Sequence, residues 1–258
     1  MSAIAIQREE PPEIAHAAAR GTRIRIYVWD LVVRNTHWVI ALAMAILIAT
    51  GLYIAHPFGF PGTTPGPHFL MGWVRVVHFY SAIFFTLAVL VRLVWFFTSP
   101  SLYARWKQFI PVQRYRRREL LNAIKFYSFF RARPPDVIGH NPLAGLSYTG
   151  VFILYLLMIT SGLALYAGSA LPGAFMKSFQ FLIPIYGSLQ TARFIHHLVM
   201  WVLILFVTLH VYANALTSAL EENGEVDSIF SGYKFVHPED VEKELVDEEA
   251  AHRGGRRG

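Results

Sequence analysis

Apolar residues along this chain neither alternate nor keep to one helical face; they run on. Four stretches, at about 36–55, 74–97, 147–167 and 194–219, are almost continuously apolar. At about 1.5 Å of rise per residue each is long enough to cross a hydrocarbon layer about 30 Å thick. The pattern predicts an all-α fold, an integral membrane four-helix bundle occupying residues 27–220. Residues 1–26, with Pro11, Pro12, an alanine run and scattered charge, read as a mobile leader. The run-in YVWDLVVR at 27–34 reads as an interfacial helix with an aromatic anchor. Beyond 220 the chain turns acidic, with eleven Asp/Glu from 221 to 249, and reads as a solvated, partly disordered tail ending in HRGGRRG.

Charge then orients the spans. Nine Lys/Arg fall in 98–146 and five in the leader with its run-in, whereas the connection 55–73 has none and 168–192 has Lys177 alone. By the positive-inside rule both termini and the long middle connection are cytoplasmic, and the two Pro/Gly-rich connections face outward. The localisation this implies is the bacterial inner membrane, crossed several times. The segment RELLNAIKFYSFF in the middle connection suits a helix on the inner membrane surface or an ordinary loop helix, and FMKSFQFLIPIYG on the other side has an interfacial composition. A net charge of +6 does not point to nucleic acid, because the basic residues flank apolar spans. The chain has no cysteine, which removes disulfides, thiolate-held iron–sulfur clusters and thioether-linked haem.

Five histidines lie inside the spans, where ionisable groups are costly and mark function. His196 and His210 are fourteen apart in the last span, which leaves them about 40° from alignment and about 21 Å apart along the axis, one near each membrane surface. His197 points nearly opposite to His210. With the spans oriented, His37 and His210 share the inner level, and His78 and His196 the outer one. A lone histidine in an apolar helix is ordinarily a packing residue. Four that pair by depth and share a face of one helix form two sets of facing imidazoles, the arrangement in which helical bundles hold haem iron axially. Without cysteine, that group is haem b, and two protein ligands leave the iron to pass electrons without binding substrate.

Arg75 and Arg193 each precede an outer histidine by three residues and share its face, so they suit haem propionates, as Arg34 does on the inner side; snorkelling to the interface is the alternative for all three. Arg92 has the same two readings. Gly51, Gly72 and Gly162 are small residues suited to close approach of helices and a flat macrocycle. His197 is set aside as a residue bonding a neighbouring helix, and His56, His68 and His140 as loop residues. A faint internal echo runs through the chain: LIATGLYIA (47–55) against MITSGLALYA (158–167), and RVVH (75–78) against RFIH (193–196), as in two hairpins of related design.

Two stretches, RNTHWVIALAMAILIATG at 34–51 and RFIHHLVMWVLILFVTLH at 193–210, resemble the signatures of the b-type cytochrome subunit of membrane-bound nickel–iron hydrogenases. The likeness extends from residue 27 to about 234; Asn35 departs from it slightly without touching His37. It implies a subunit that anchors the hydrogenase to the membrane and carries electrons from the iron–sulfur small subunit, itself bound to the large subunit, to quinone. It further implies two haems b, His78 and His196 holding the outer and His37 and His210 the inner. Hydrogen chemistry would reside in the partner chains, and the contacts expected are those subunits, membrane lipid and quinone, with no nucleic acid. The alternatives are the cytochrome of another periplasmic dehydrogenase, such as formate dehydrogenase, and a haem-free membrane anchor. A transporter lacks support, because no acidic residue lies within the spans.

Overall fold

A computed structural model of the chain describes residues 23–57, 70–111, 114–128, 130, 142–169, 173–221, 224–238 and 241. Most of the expected leader, His68, His140 and the last residues of the tail lie outside these. Strand β1 (Ile24–Tyr27) leads into helices α1 (Leu31–Ala55) and α2 (Leu70–Thr98); two short 3₁₀ turns and α3 (Arg114–Tyr127) follow, then α4 (Pro142–Ala167). Two single-turn helices, α5 (Ala174–Lys177) and α6 (Leu182–Ile185), precede α7 (Leu189–Glu221), α8 (Glu225–Ser231) and strand β2 (Tyr233–Val236). The all-α membrane architecture is the expected one: α1, α2, α4 and α7 are long and apolar enough to span a bilayer. Their outward residues, among them Leu42, Phe84 and Trp201, are large, apolar and exposed, as lipid-facing positions are.

Each spanning helix begins four or five residues before its apolar run: at 31 rather than 36, 70 rather than 74, 142 rather than 147, and 189 rather than 194. Hydropathy marks only what the hydrocarbon requires, whereas a helix continues while its backbone groups can be satisfied. At α1 the Asp30 carboxylate supplies this, accepting the Val33 N–H at 2.9 Å. At α4 the start is Pro142, whose missing N–H costs nothing in the first turn.

The chain divides into two compact units. One, within 35–93 and 152–207, contains a segment of each spanning helix. Phe79 stacks edge-on against Tyr166 at 4.5 Å and Phe85 against Tyr155 at 5.1 Å, joining α2 to α4. Thr50 touches His78, joining α1 to α2, and Ser161 touches His196, joining α4 to α7. Gly51 packs beside Met200, which brings α7 back to α1 and completes a four-helix bundle. The connection after α4 folds back on this unit: Tyr186 Oη meets Thr160 Oγ1 at 2.7 Å, and Leu182 is buried with Ala164 and Ala192.

The second unit, within 1–34, 94–151 and 208–258, departs from expectation. The run-in 27–34 is not a separate interfacial helix: Tyr27 ends a strand, and residues 31–34 are the first turn of α1. Ile24–Tyr27 is a strand paired antiparallel with Tyr233–Val236, in the register Ile24 to Val236 and Tyr27 to Tyr233. Ile24 and Ile26 face a core with Val28, Trp29, Val33 and Tyr103, while Arg25 lies over the Tyr233 ring at 3.7 Å. Part of the expected solvated tail is therefore structural. Trp29 Nε1 donates to Ser228 Oγ at 2.9 Å, Arg34 donates to the Phe230 carbonyl, and the Gly232 carbonyl accepts the Val28 and Trp29 N–H groups. Gly232 has φ +90°, and a Cβ there would fall 2.5 Å from the Tyr27 ring and 2.8 Å from the Trp29 carbonyl, so no other residue fits. Lys234, 3 % exposed, is paired with Glu225 at 2.5 Å. The strand pairing holds the residues before the first span and after the last on one side.

Asp30 ties this unit together, because its second oxygen accepts Trp95 Nε1 at 2.8 Å from α2. Replacing Asp30 by Ala removes the α1 cap and leaves the part-buried indole donor unsatisfied. We expect a loss of about 1–3 kcal/mol, read as a lowered thermal midpoint of the detergent-purified protein, with Trp95→Phe recovering part of the deficit in the double variant.

Candidate functional site

His78 and His196 lie within the first unit, on α2 and α7. Each faces a hydroxyl–glycine pair on a neighbouring helix. His78 Nδ1 is 2.8 Å from Thr50 Oγ1 on α1, and His196 Nδ1 is 2.9 Å from Ser161 Oγ on α4. Each hydroxyl also lies against a carbonyl one turn back in its own helix, Thr50 with Ile46 at 2.7 Å and Ser161 with Leu157 at 2.6 Å. A hydroxyl has one proton to donate, and a helix carbonyl can only accept. Both contacts of each hydroxyl are satisfied in one arrangement: the hydroxyl proton goes to the carbonyl, and imidazole Nδ1–H donates to the hydroxyl oxygen. Each neutral ring then carries its lone pair on Nε2.

The adjacent glycines give the rings room. A Cβ on Gly51 would sit 3.5 Å from His78 Cε1, in ordinary contact, and one on Gly162 would sit 3.3 Å from His196 Cε1, tighter than side chains normally pack. Gly51 also abuts Met200 Sδ, one turn along α7 from His196. Two half-buried imidazoles of one unit, matched in tautomer and each seated against a glycine of a neighbouring helix, are a donor pair that would suit haem iron. The internal echo thus has a structural meaning: TG of the first span and SG of the third do the same thing for the histidine of the next span. Thr50 and Ser161 escaped the sequence reading, although the echo contained both.

His197 does not reach a neighbouring helix; its Nδ1–H donates to the Arg193 carbonyl of its own helix at 2.8 Å, so it serves its own backbone. His37 is half-buried in the second turn of α1 with its ring edge-on to Trp38 at 5.2 Å. His210 belongs to the second unit, where Tyr148 Oη lies 3.4 Å and Asn214 Nδ2 3.0 Å from its Nδ1. Asn214 Nδ2 also donates to the His210 carbonyl at 2.7 Å. With the amide set this way Nδ1 is an acceptor, so iron ligation through Nε2 requires the Asn214 side chain to turn. Of the expected propionate partners, Arg75 and Arg193 are exposed, Arg193 donating to Gln190 Oε1 at 2.9 Å, and Arg34 is engaged by Phe230. Arg92 is 6 % exposed, which is not the posture of a snorkelling side chain. His56 and His237 are exposed.

Residues 28–232 match the family described as prokaryotic cytochrome b561. A probable Ni/Fe-hydrogenase B-type cytochrome subunit of Cupriavidus necator is 36 % identical over 225 residues, covering 84 % of this chain and 91 % of that one. A protein of the same description from Bradyrhizobium diazoefficiens is 31 % identical over 241 residues, 90 % of this chain and 97 % of that one. The probable Ni/Fe-hydrogenase 1 B-type cytochrome subunit of Escherichia coli is 30 % identical over 213 residues, with coverage of 81 % and 90 %. The chain belongs to the prokaryotic cytochrome b561 family, among the B-type cytochrome subunits of Ni/Fe hydrogenase.

Proposed function

We propose that this cytochrome subunit anchors a nickel–iron hydrogenase in the bacterial inner membrane and passes electrons from the iron–sulfur small subunit to quinone through two haems b. As a b-type cytochrome it carries haem b, whose iron supplies one-electron redox chemistry. The observation that carries the reading is the matched His78/His196 arrangement, in which each ring meets a hydroxyl through Nδ1 and packs Cε1 against a glycine of a neighbouring helix, which leaves Nε2 to serve as the ligand. His78 and His196 are the ligands nearest the incoming electron, and His37 and His210 hold the second iron on the cytoplasmic side. Arg75 and Arg193, exposed at the start of their helices, are placed for propionates; Arg34, already bonded to Phe230, is the third candidate.

Orientation follows the positive-inside rule. It is supported by the composition of the second unit, which gathers the run-in, the middle connection and the segment after α7, the three parts expected in the cytoplasm. The strand pairing also requires an even number of crossings, which four spans supply. Hydrogen would be oxidised by the partner chains, with this chain providing fixed, water-excluding positions for electron carriers.

The test is the haem-to-protein ratio of the purified chain, with reduced-minus-oxidised spectra. Wild type should give two haems b; His196→Ala should lose the haem nearest the hydrogenase and His197→Ala should retain both. A well-folded wild type without haem would overturn the proposal. The glycines give a graded check. Gly51→Ala should bind haem normally, since the added methyl meets His78 at ordinary contact distance, whereas Gly162→Val should displace His196 and halve the haem content. Equal tolerance at both positions would show that the rings do not rely on this approach.

A further inference from the structure

We propose that Thr50 and Ser161 are twin positioning residues, each locking one axial imidazole of the same haem into the Nδ1–H tautomer and fixing its ring plane. The inference rests on the assignment of His78 and His196 as ligands made above. Its basis is geometric: two chains of identical order, imidazole Nδ1 to hydroxyl to i−4 carbonyl, with contacts of 2.8 and 2.7 Å at His78 and of 2.9 and 2.6 Å at His196. Ser161 is fully buried, and its oxygen also lies 3.2 Å from the Met158 carbonyl. Each chain ends in the backbone of a spanning helix, and neither hydroxyl can turn away without leaving an imidazole N–H without its partner.

Two consequences follow. A ligand that donates from Nδ1 is more basic at Nε2, which favours the oxidised iron and lowers its potential. Because both ligands are treated alike, the effect is applied from both faces. The second is orientational: a ring held at Nδ1 by an oxygen on another helix cannot rotate about its χ2 bond, so the angle between the two imidazole planes is set by where Thr50 and Ser161 sit. At His210 the Asn214 amide lies 3.0 Å from Nδ1 and Tyr148 Oη 3.4 Å from it.

The experiment uses the full chain, purified with its haem, as wild type, Thr50→Val, Thr50→Ser and Ser161→Ala. Valine keeps the volume of threonine and removes both hydrogen-bonding functions, while serine keeps the hydroxyl. Redox titration should show the potential of one haem raised in Thr50→Val and in Ser161→Ala, by roughly tenfold in the reduced-to-oxidised ratio at fixed ambient potential, about 59 mV for one electron. The low-spin ferric resonance of that haem should shift with it, and transfer of that haem to a competing haem-binding protein should be roughly tenfold easier. Thr50→Ser should behave as wild type. Unchanged potential and resonance in Thr50→Val and Ser161→Ala would overturn the inference and leave the di-haem reading standing. Haem loss in Thr50→Val and Thr50→Ser alike would also overturn it, by showing a packing role. Wild type without haem would instead fail the function proposed above. Thr50→Val altered and Thr50→Ser normal supports the positioning role.

Discussion

An imidazole inside an apolar helix must satisfy two ring nitrogens where water is scarce, and this constraint organises the four-helix unit. His78 and His196 meet it on one side through Thr50 and Ser161. A hydroxyl within 3 Å of a ring on another helix requires the two helices to be close, and a small residue beside the hydroxyl leaves room for the ring edge, most tightly at Gly162. Gly51 and Gly162 are therefore coupled to Thr50 and Ser161, and the aromatic contacts between α2 and α4 hold the opposite edge of the same unit. Remove the need to seat two imidazoles and neither the hydroxyls nor the glycines have a reason to be adjacent.

What lies outside this bundle follows another logic. The strand pair and the Trp29–Ser228 bond join residues about 200 positions apart in sequence, and the Lys234–Glu225 pair ties the second strand to the helix before it. A buried lysine held by one carboxylate and the face of Trp29 contributes little net stability, since desolvation offsets the attraction, but it admits few alternative pairings. The register is thus specified by which residues tolerate burial: Ile24 and Ile26 turn inward, and Lys234 is accepted because Glu225 lies within reach.

The spans and their histidines were legible because a run of 20 apolar residues is a physical requirement of the bilayer, and a charge-bearing residue within it is an exception that shows. The strands were not. Four residues, IRIY, alternate too briefly to be told from a helix end, and the partner that stabilises them is at the far end of the chain. Helix starts were missed for a related reason: Asp30 was visible, but its role as a cap depends on where the chain enters the unit. Helical arithmetic set His197 apart from His210, but its partner was misjudged, because a ring can bond the carbonyl one turn back in its own helix. The hydroxyl partners were hidden in plain view, since serine and threonine are ordinary in membrane helices and become informative only when a ring is found against them.

The adjacency of hydroxyl and glycine explains why the same pair recurs. Neighbouring positions on a helix are about 100° apart, so one can offer its oxygen while the other leaves the space the ring edge occupies. Because the hydroxyl proton is absorbed by a carbonyl of its own helix, the arrangement needs no third helix and is complete within one helix and the ring it receives. Such a unit can be copied whole. The repeats TG with His78 and SG with His196 are two instances differing by one methyl group, at Thr50, and by a few tenths of an ångström at the glycine. A metal between two such rings would be held by ligands matched in tautomer and basicity, whereas His210, further along α7, meets an amide side chain and a tyrosine hydroxyl at Nδ1.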